Sequence, residues 1–177
     1  DEMTHPGRPD GGSCSNDLVG RLDSACLSNK FNCQNKQVDA AISTIENRSV
    51  LPEILKIGKV KGTSSPTLGT AVRKQGRTTE LTHGIVTGLG RTVSIAYDPS
   101  IGVITLKNQI TIEPDITKNS RFSDHGDSGS AIVDEQNRVI GLLFGGTQDG
   151  SATFANLFSD VEAALGISIF TEVPVNM

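Results

Sequence analysis

Gly126-Asp127-Ser128-Gly129-Ser130 is the stretch on which the reading of this 177-residue sequence turns. Glycine tolerates the positive φ values of tight turns, so Gly126 and Gly129 allow a sharp loop around Ser128. A serine on such a loop exposes its hydroxyl. The backbone N–H groups of Gly126 and Ser128 can then converge on one spot and stabilise a negative oxygen there. Asp127 reads as the residue that holds the loop in shape. From average composition, a preset string of five such residues arises at a given position roughly once in a million.

The surrounding sequence reads as short strands separated by turns. Ala131-Ile132-Val133, a polar turn from Asp134 to Arg138, and Val139 to Phe144 form a hairpin. Its second strand is nearly all apolar and therefore buried on both faces. Upstream, Gly84 to Leu89 and Thr92 to Tyr97 read as two strands joined by a turn at Gly90-Arg91. Val103 to Leu106 and Ile110 to Ile112 are two more. Leu18 to Leu22, Val38 to Ile42 and Ala71 to Lys74 are further candidates. Residues 61–70 have linker composition and mark the best internal boundary. Ser159-Asp160-Val161-Glu162 has the form of a capping box, and Gly166 supplies a stop, so a short helix is expected between them. This pattern is that of an all-β barrel or sandwich protein.

Composition narrows the function. Sixteen Lys and Arg against 20 Asp and Glu give a net charge of −4, which argues against nucleic-acid and anionic-membrane partners. With no Trp and one Tyr, the chain offers no base-stacking platform. No apolar run approaches the ~18 residues of a membrane span. The cysteines are Cys14, Cys26 and Cys33, without the spacing of a zinc site. One disulfide with a spare thiol and three free thiols both remain open. No metal and no cofactor is expected.

A second candidate is Asp39 in Val38-Asp39-Ala40-Ala41-Ile42. A carboxylate inside an apolar strand needs a partner. Three histidines are available, His5, His83 and His125. His5 is followed by Pro6 and preceded by no apolar strand. His83 lies inside a hairpin. His125 is three residues before Ser128, too close to serve Ser128 and Asp39 together.

At these residues the chain resembles the trypsin-like serine proteases of chymotrypsin fold, bacterial type, in which a G-D-S-G-[GS] string surrounds the nucleophile. Val38 to Ile42 is similar to the strand that carries the triad aspartate in that family. Gln75 to Thr79 with His83 to Val86 is similar to the first hairpin of its second barrel. The resemblance implies a chymotrypsin-like double β-barrel with the first barrel incomplete and a short C-terminal helix. Residues 1–62 would be the remainder of the first barrel and residues 63–177 the second. It also implies Ser128 as nucleophile, Asp39 as acid, and Gly126 and Ser128 as oxyanion donors. The pocket would be formed by Phe122 at the floor with His125, Phe144, Gly145 and Gly146. Phe122, lacking an acid, argues against a Lys or Arg preference, while Asp124 beside it keeps that preference open. Small, aromatic and acidic side chains are not separated by sequence.

None of the three histidines carries the family's motif. The expectation is therefore a serine endopeptidase fragment acting on peptides or proteins, with its catalytic histidine on a missing N-terminal segment. Secretion or a periplasmic location goes with the family. A protein-binding module without catalysis is the alternative, and a complete enzyme using His5 is the third reading.

Overall fold

The computed structural model describes residues 1–28, 33, 37–46 and 48–171. In chain order the strands are β1 (Glu2–Thr4), β2 (Leu18–Leu27), β3 (Asp39–Ser43), β4 (Glu53–Ile54) and β5 (Gly58–Lys59). They continue with β6 (Ala71–Gln75), β7 (Leu81–Ala96), β8 (Val103–Pro114), β9 (Ala131–Asp134), β10 (Val139–Gly146) and β11 (Thr153–Leu157). Among the described residues, one α-helix, α1 (Phe158–Leu165), follows.

Two lobes result. The N-terminal lobe is an open sheet in the order β1-β2-β3, with β4 and β5 as a separate ribbon. The C-terminal lobe is a closed barrel in the order β10-β11-β8-β7-β6-β9. The expected all-β class, with a closed second barrel and a short C-terminal helix, is what the chain adopts. Closure of the barrel removes exposed strand edges. Val72, Val86, Ile110, Ile112, Ile132 and Ile140 fill its interior. A second cluster joins the lobes: Cys26 and Val38 meet Val133 and Val139 of the barrel, and Phe158, Val161 and Ala164 of α1 pack on both.

Cys26 and Cys33 form a disulfide, and Cys14 is a free thiol. This resolves the alternative left open by the spacing. Among the described residues, no helix is long and apolar enough to cross a membrane.

Three local expectations are corrected. Gly90-Arg91 is not a turn between strands, because β7 runs unbroken through it. Gly90 has φ +63° and, across the ladder, Asn108 has φ +63°. The β7–β8 register shifts on both sides of Arg91. These are bulges that bend one long hairpin, and they break the alternation by which strands are recognised. The true reversal is at Asp98–Gly102, where the Gly102 N–H donates to Asp98 O at 2.9 Å.

Ser159 is not the helix cap. The pairing of β11 with β10 extends to Leu157, so the helix starts directly at Phe158, without a side-chain cap. Gly166, at φ +66°, does end it.

Residues 61–70 look like a linker but are held on the barrel. Thr63 bridges Val139, the Ser64 hydroxyl donates to Asp134 Oδ2 at 2.9 Å, and the Gly69 N–H donates to Val86 O at 2.8 Å.

Candidate active site

Local geometry at residues 126–130 follows from one buried carboxylate. Asp127 is 0% exposed. Its Oδ1 accepts from the Thr78 N–H at 2.8 Å and the Thr79 N–H at 3.2 Å. Its Oδ2 accepts from the Thr79 hydroxyl at 2.6 Å and the Asp124 N–H at 3.0 Å. The Lys74 ammonium lies 3.3 Å from the same oxygen. Burial pushes the Asp127 carboxyl up, but the Thr79 hydroxyl and the amides of Asp124, Thr78 and Thr79 outweigh it and leave the pKa lowered.

The loop around this anchor is tight. Gly126 takes φ +98° and Gly129 φ +85°. The Thr78 hydroxyl donates to His125 O at 2.6 Å, and the Gly129 N–H donates to Leu143 O at 2.8 Å. Ser128 is left exposed at the apex. Among the described residues, its hydroxyl and the N–H groups of Gly126 and Ser128 have no hydrogen-bond partner. A hydroxyl with two unengaged amides beside it has the donor set an oxyanion requires.

Beside Ser128 lies a pocket of about 430 Å³. His125, Phe144, Gly145 and Gly146, the residues the resemblance assigns to a substrate pocket, are among those that line it. Phe122 does not. It is fully buried in the barrel core against Gly84, where an added Cβ would come within 2.7 Å of its ring. A phenyl ring gains more from that apolar interior than from a polar pocket floor. Ser123, the next residue, lines the pocket instead.

Asp39 opens β3 in the other lobe, and two residues tie it to the pocket wall. The Tyr97 hydroxyl donates to Asp39 Oδ2 at 2.6 Å. Tyr97 directly follows Ser94, Ile95 and Ala96, all of which line the pocket. The buried Asn156 accepts from the Asp39 N–H at 3.0 Å and donates to Asp39 O at 2.8 Å. The same amide group donates to Leu142 O at 3.4 Å, next to the pocket residue Leu143. Burial raises the Asp39 carboxyl above its ordinary value, only partly offset by the Tyr97 hydrogen bond. Asp39 Oδ1 accepts no hydrogen bond from any described residue.

The three histidines do not meet. His5 lines a separate cleft formed with Ser49 to Gly58. His83 sits on β7, its N–H donating to Asn119 Oδ1 at 2.7 Å, and burial lowers its pKa. Only His125 lines the Ser128 pocket. Among the described residues, no group of three His, Cys, Asp or Glu is placed to hold a metal ion.

The architecture is similar to solved structures over most of the chain. The chymotrypsin of Cellulomonas bogoriensis has a TM-score of 0.65 and 24% identity, covering 95% of this chain and 83% of that one. This is the chymotrypsin fold. Thermobifida fusca protease A has a TM-score of 0.63 at 21% identity, covering 89% of this chain and 77% of that one. A glutamic acid-specific serine protease, described as using a histidine triad in substrate binding, has a TM-score of 0.63 at 20% identity, with 89% and 77% covered. No family model matches the sequence. No curated protein matches it either.

Within this chymotrypsin-fold chain, sequence reading missed Lys74, Tyr97 and Asn156. Lys74 stands in Arg73-Lys74-Gln75, where a lysine normally faces water. Its partners are brought by the β6–β7 turn, with the Nζ donating to Glu80 O at 3.0 Å. A signal for Tyr97 existed in its being the one tyrosine of the chain. Nothing local marked Asn156.

Proposed function

We propose that this chain is the core of a serine endopeptidase that cleaves peptides or proteins through an acyl-enzyme on Ser128. The observation that carries the reading is the exposed Ser128 hydroxyl flanked by the unengaged N–H groups of Gly126 and Ser128, at the edge of a pocket. In the proposed reaction a base takes the proton from Ser128 Oγ, and Oγ bonds to the substrate carbonyl carbon. The carbonyl oxygen becomes negative and accepts from the two N–H groups. The base then passes its proton to the leaving amine as the C–N bond breaks. Water hydrolyses the remaining ester by the same steps in reverse order.

The base is a histidine supplied by a further segment of the protein outside these residues. Supporting this, no histidine of the chain shares the surroundings of both Ser128 and Asp39, and Asp39 Oδ1 has no partner among the described residues. An imidazole Nδ1–H donating to Asp39 would be held in the tautomer that serves Ser128. The lobes divide near residue 62. The Cys26–Cys33 disulfide supports an oxidising compartment, outside the cytoplasm.

A serine hydroxyl without a base is a poor nucleophile. The test is therefore fluorophosphonate labelling of the full chain, read by intact mass, with and without added imidazole. Slow or absent labelling alone, and labelling at Ser128 accelerated by imidazole, supports the proposal. Rapid labelling without imidazole places the base within the chain and overturns the outside histidine. No labelling under either condition, from folded protein, favours the binding-module alternative.

A further inference from the structure

We infer that the pocket beside Ser128 takes an uncharged substrate side chain, a glutamine-like amide or an aliphatic group, in preference to any charged one. The inference rests on the endopeptidase reading and extends it to substrate class.

Ser123 lines the pocket, and its hydroxyl is paired with that of Thr153, which is not itself part of the lining. Ser123 Oγ lies 2.6 Å from Thr153 Oγ1, and the two residues are 8% and 1% exposed. The Ser123 hydroxyl sits behind Gly146, where an added Cβ would be 3.6 Å from it and 2.8 Å from Ala152 O. A side chain at residue 146 would therefore collide with Ala152 O and lie against the Ser123 hydroxyl. Ile95, Phe144 and Phe154 give the cavity an apolar surface beside the polar Ser94, Thr147 and Gln148, and Ile95 packs on Gly145 so closely that an added Cβ there would meet Cδ1 at 2.6 Å.

Among the described residues, two ionisable ones line this cavity, Asp124 and His125. Asp124 is paired with the Arg121 guanidinium, and its Oδ1 accepts from the His125 N–H at 2.8 Å. The His125 N–H and the Arg121 charge hold the Asp124 carboxyl below its ordinary value despite some desolvation. His125 is exposed, one residue before Gly126. It stands alone, because His5 lines another cleft and His83 is not part of the lining.

The hydroxyl pair spends one proton on its mutual bond. One proton and several lone pairs remain, so the pair can donate one hydrogen bond and also accept. A carboxamide uses both. An aliphatic side chain needs neither and gains from the apolar surface. A carboxylate or ammonium brought to the same pair leaves its charge uncompensated, at a desolvation cost.

The test needs no catalysis. N-acetyl-Ala-Ala-Ala-X acids, with X as Gln, Leu, Lys or Glu, are titrated into the ¹⁵N-labelled full chain, following the amides of Ser123, Gly126, Gly145 and Gly146. The Gln and Leu peptides are expected to bind about tenfold or more tightly than the Lys and Glu peptides. Ser123→Ala should weaken Gln binding relative to Leu. The double variant Ser123→Ala/Thr153→Val, which strands no hydroxyl, should do the same if the single variant folds poorly. Equal or tighter binding of Lys or Glu at these amides, or an unchanged Gln-to-Leu ratio in a folded variant, overturns the inference and leaves the peptide site standing. If none of the four peptides moves these amides, the endopeptidase reading fails and the inference falls with it.

Discussion

Lys74 Nζ lies 3.3 Å from Asp127 Oδ2, and neither side chain has any exposed surface. The pair joins β6 to the loop that presents Ser128. Lys74 also stands 5.9 Å from the centre of the Phe122 ring. Burial lowers the Lys74 pKa, and the Asp127 charge works against that shift. The ammonium thus sits in an apolar interior because the carboxylate needs it there.

Replacing Lys74 by Met strands the Asp127 charge. Breaking one partner of a buried pair costs about 3 kcal/mol or more. Lys74→Met is expected to lose that much stability in urea unfolding, and to shift the Gly126 and Ser128 amide resonances in any folded fraction. An unchanged unfolding midpoint would mean that the backbone amides alone hold Asp127.

Gly126 and Gly129 both carry positive φ, but only Gly126 is also crowded. A Cβ at Gly126 would meet Thr78 Oγ1 at 2.5 Å, whereas one at Gly129 has nothing within 4 Å. Each substitution by Ala pays for the left-handed backbone, on the order of 1 kcal/mol. Gly126→Ala additionally breaks the Thr78–His125 hydrogen bond, so it is expected to be less stable than Gly129→Ala by about 1 kcal/mol. Comparing the two variants by urea unfolding checks this, and equal losses would refute it.

Asp39 gives a pH signature of opposite sign to that of a paired surface acid. Its folded pKa is raised above 3.8 by burial. Between 3.8 and that higher value the folded chain binds more protons than the unfolded one. The stability it contributes is complete below 3.8 and is lost as pH rises through the folded value. Asp39→Asn removes the charge and leaves an oxygen for Tyr97. It should stabilise the chain at pH 7 by up to about 1 kcal/mol, since water screens a partly buried carboxyl, and by nothing near pH 3. Paired thermal melts at the two pH values decide it; a stabilisation that is the same at both would rule out titration as its source.

How much of this was legible varies with distance along the chain. Asp127 was read as a loop-holding residue from its neighbours alone, and the structure gives it that work. The resemblance assigns Phe122 to the pocket, and a match of motifs along the chain cannot tell which of two adjacent residues turns inward. The barrel core claimed the phenyl ring and left Ser123 facing the pocket. The hairpin of β7 and β8 was read as four strands because its bulges interrupt the alternation of period two.

Cysteine spacing left the pairing undetermined, and the fold selects Cys26 with Cys33, seven residues apart. A loop that short contributes about 2–3 kcal/mol by the chain-entropy argument. Reduction, or the double replacement by Ser, is expected to lower stability by that amount. Cys14→Ser should leave it within about 0.5 kcal/mol, because that thiol's contact with Arg8 is exposed. Equal effects of the two changes would contradict the assignment.

By itself the sequence determined the features encoded within a few residues. These are the Gly126–Ser130 turn, the β9–β10 hairpin, the helix stop at Gly166 and the all-β character. Each depends on local backbone preference and side-chain alternation, which neighbouring residues alone can express. Tertiary structure decided what Lys74, Tyr97 and Asn156 do. The Tyr97–Asp39 bond spans 58 residues and the Asn156–Asp39 bonds span 117. Such partners meet only when the registers of separate strands are set. Register is chosen by burial of whole strand faces, a property no short window of sequence contains.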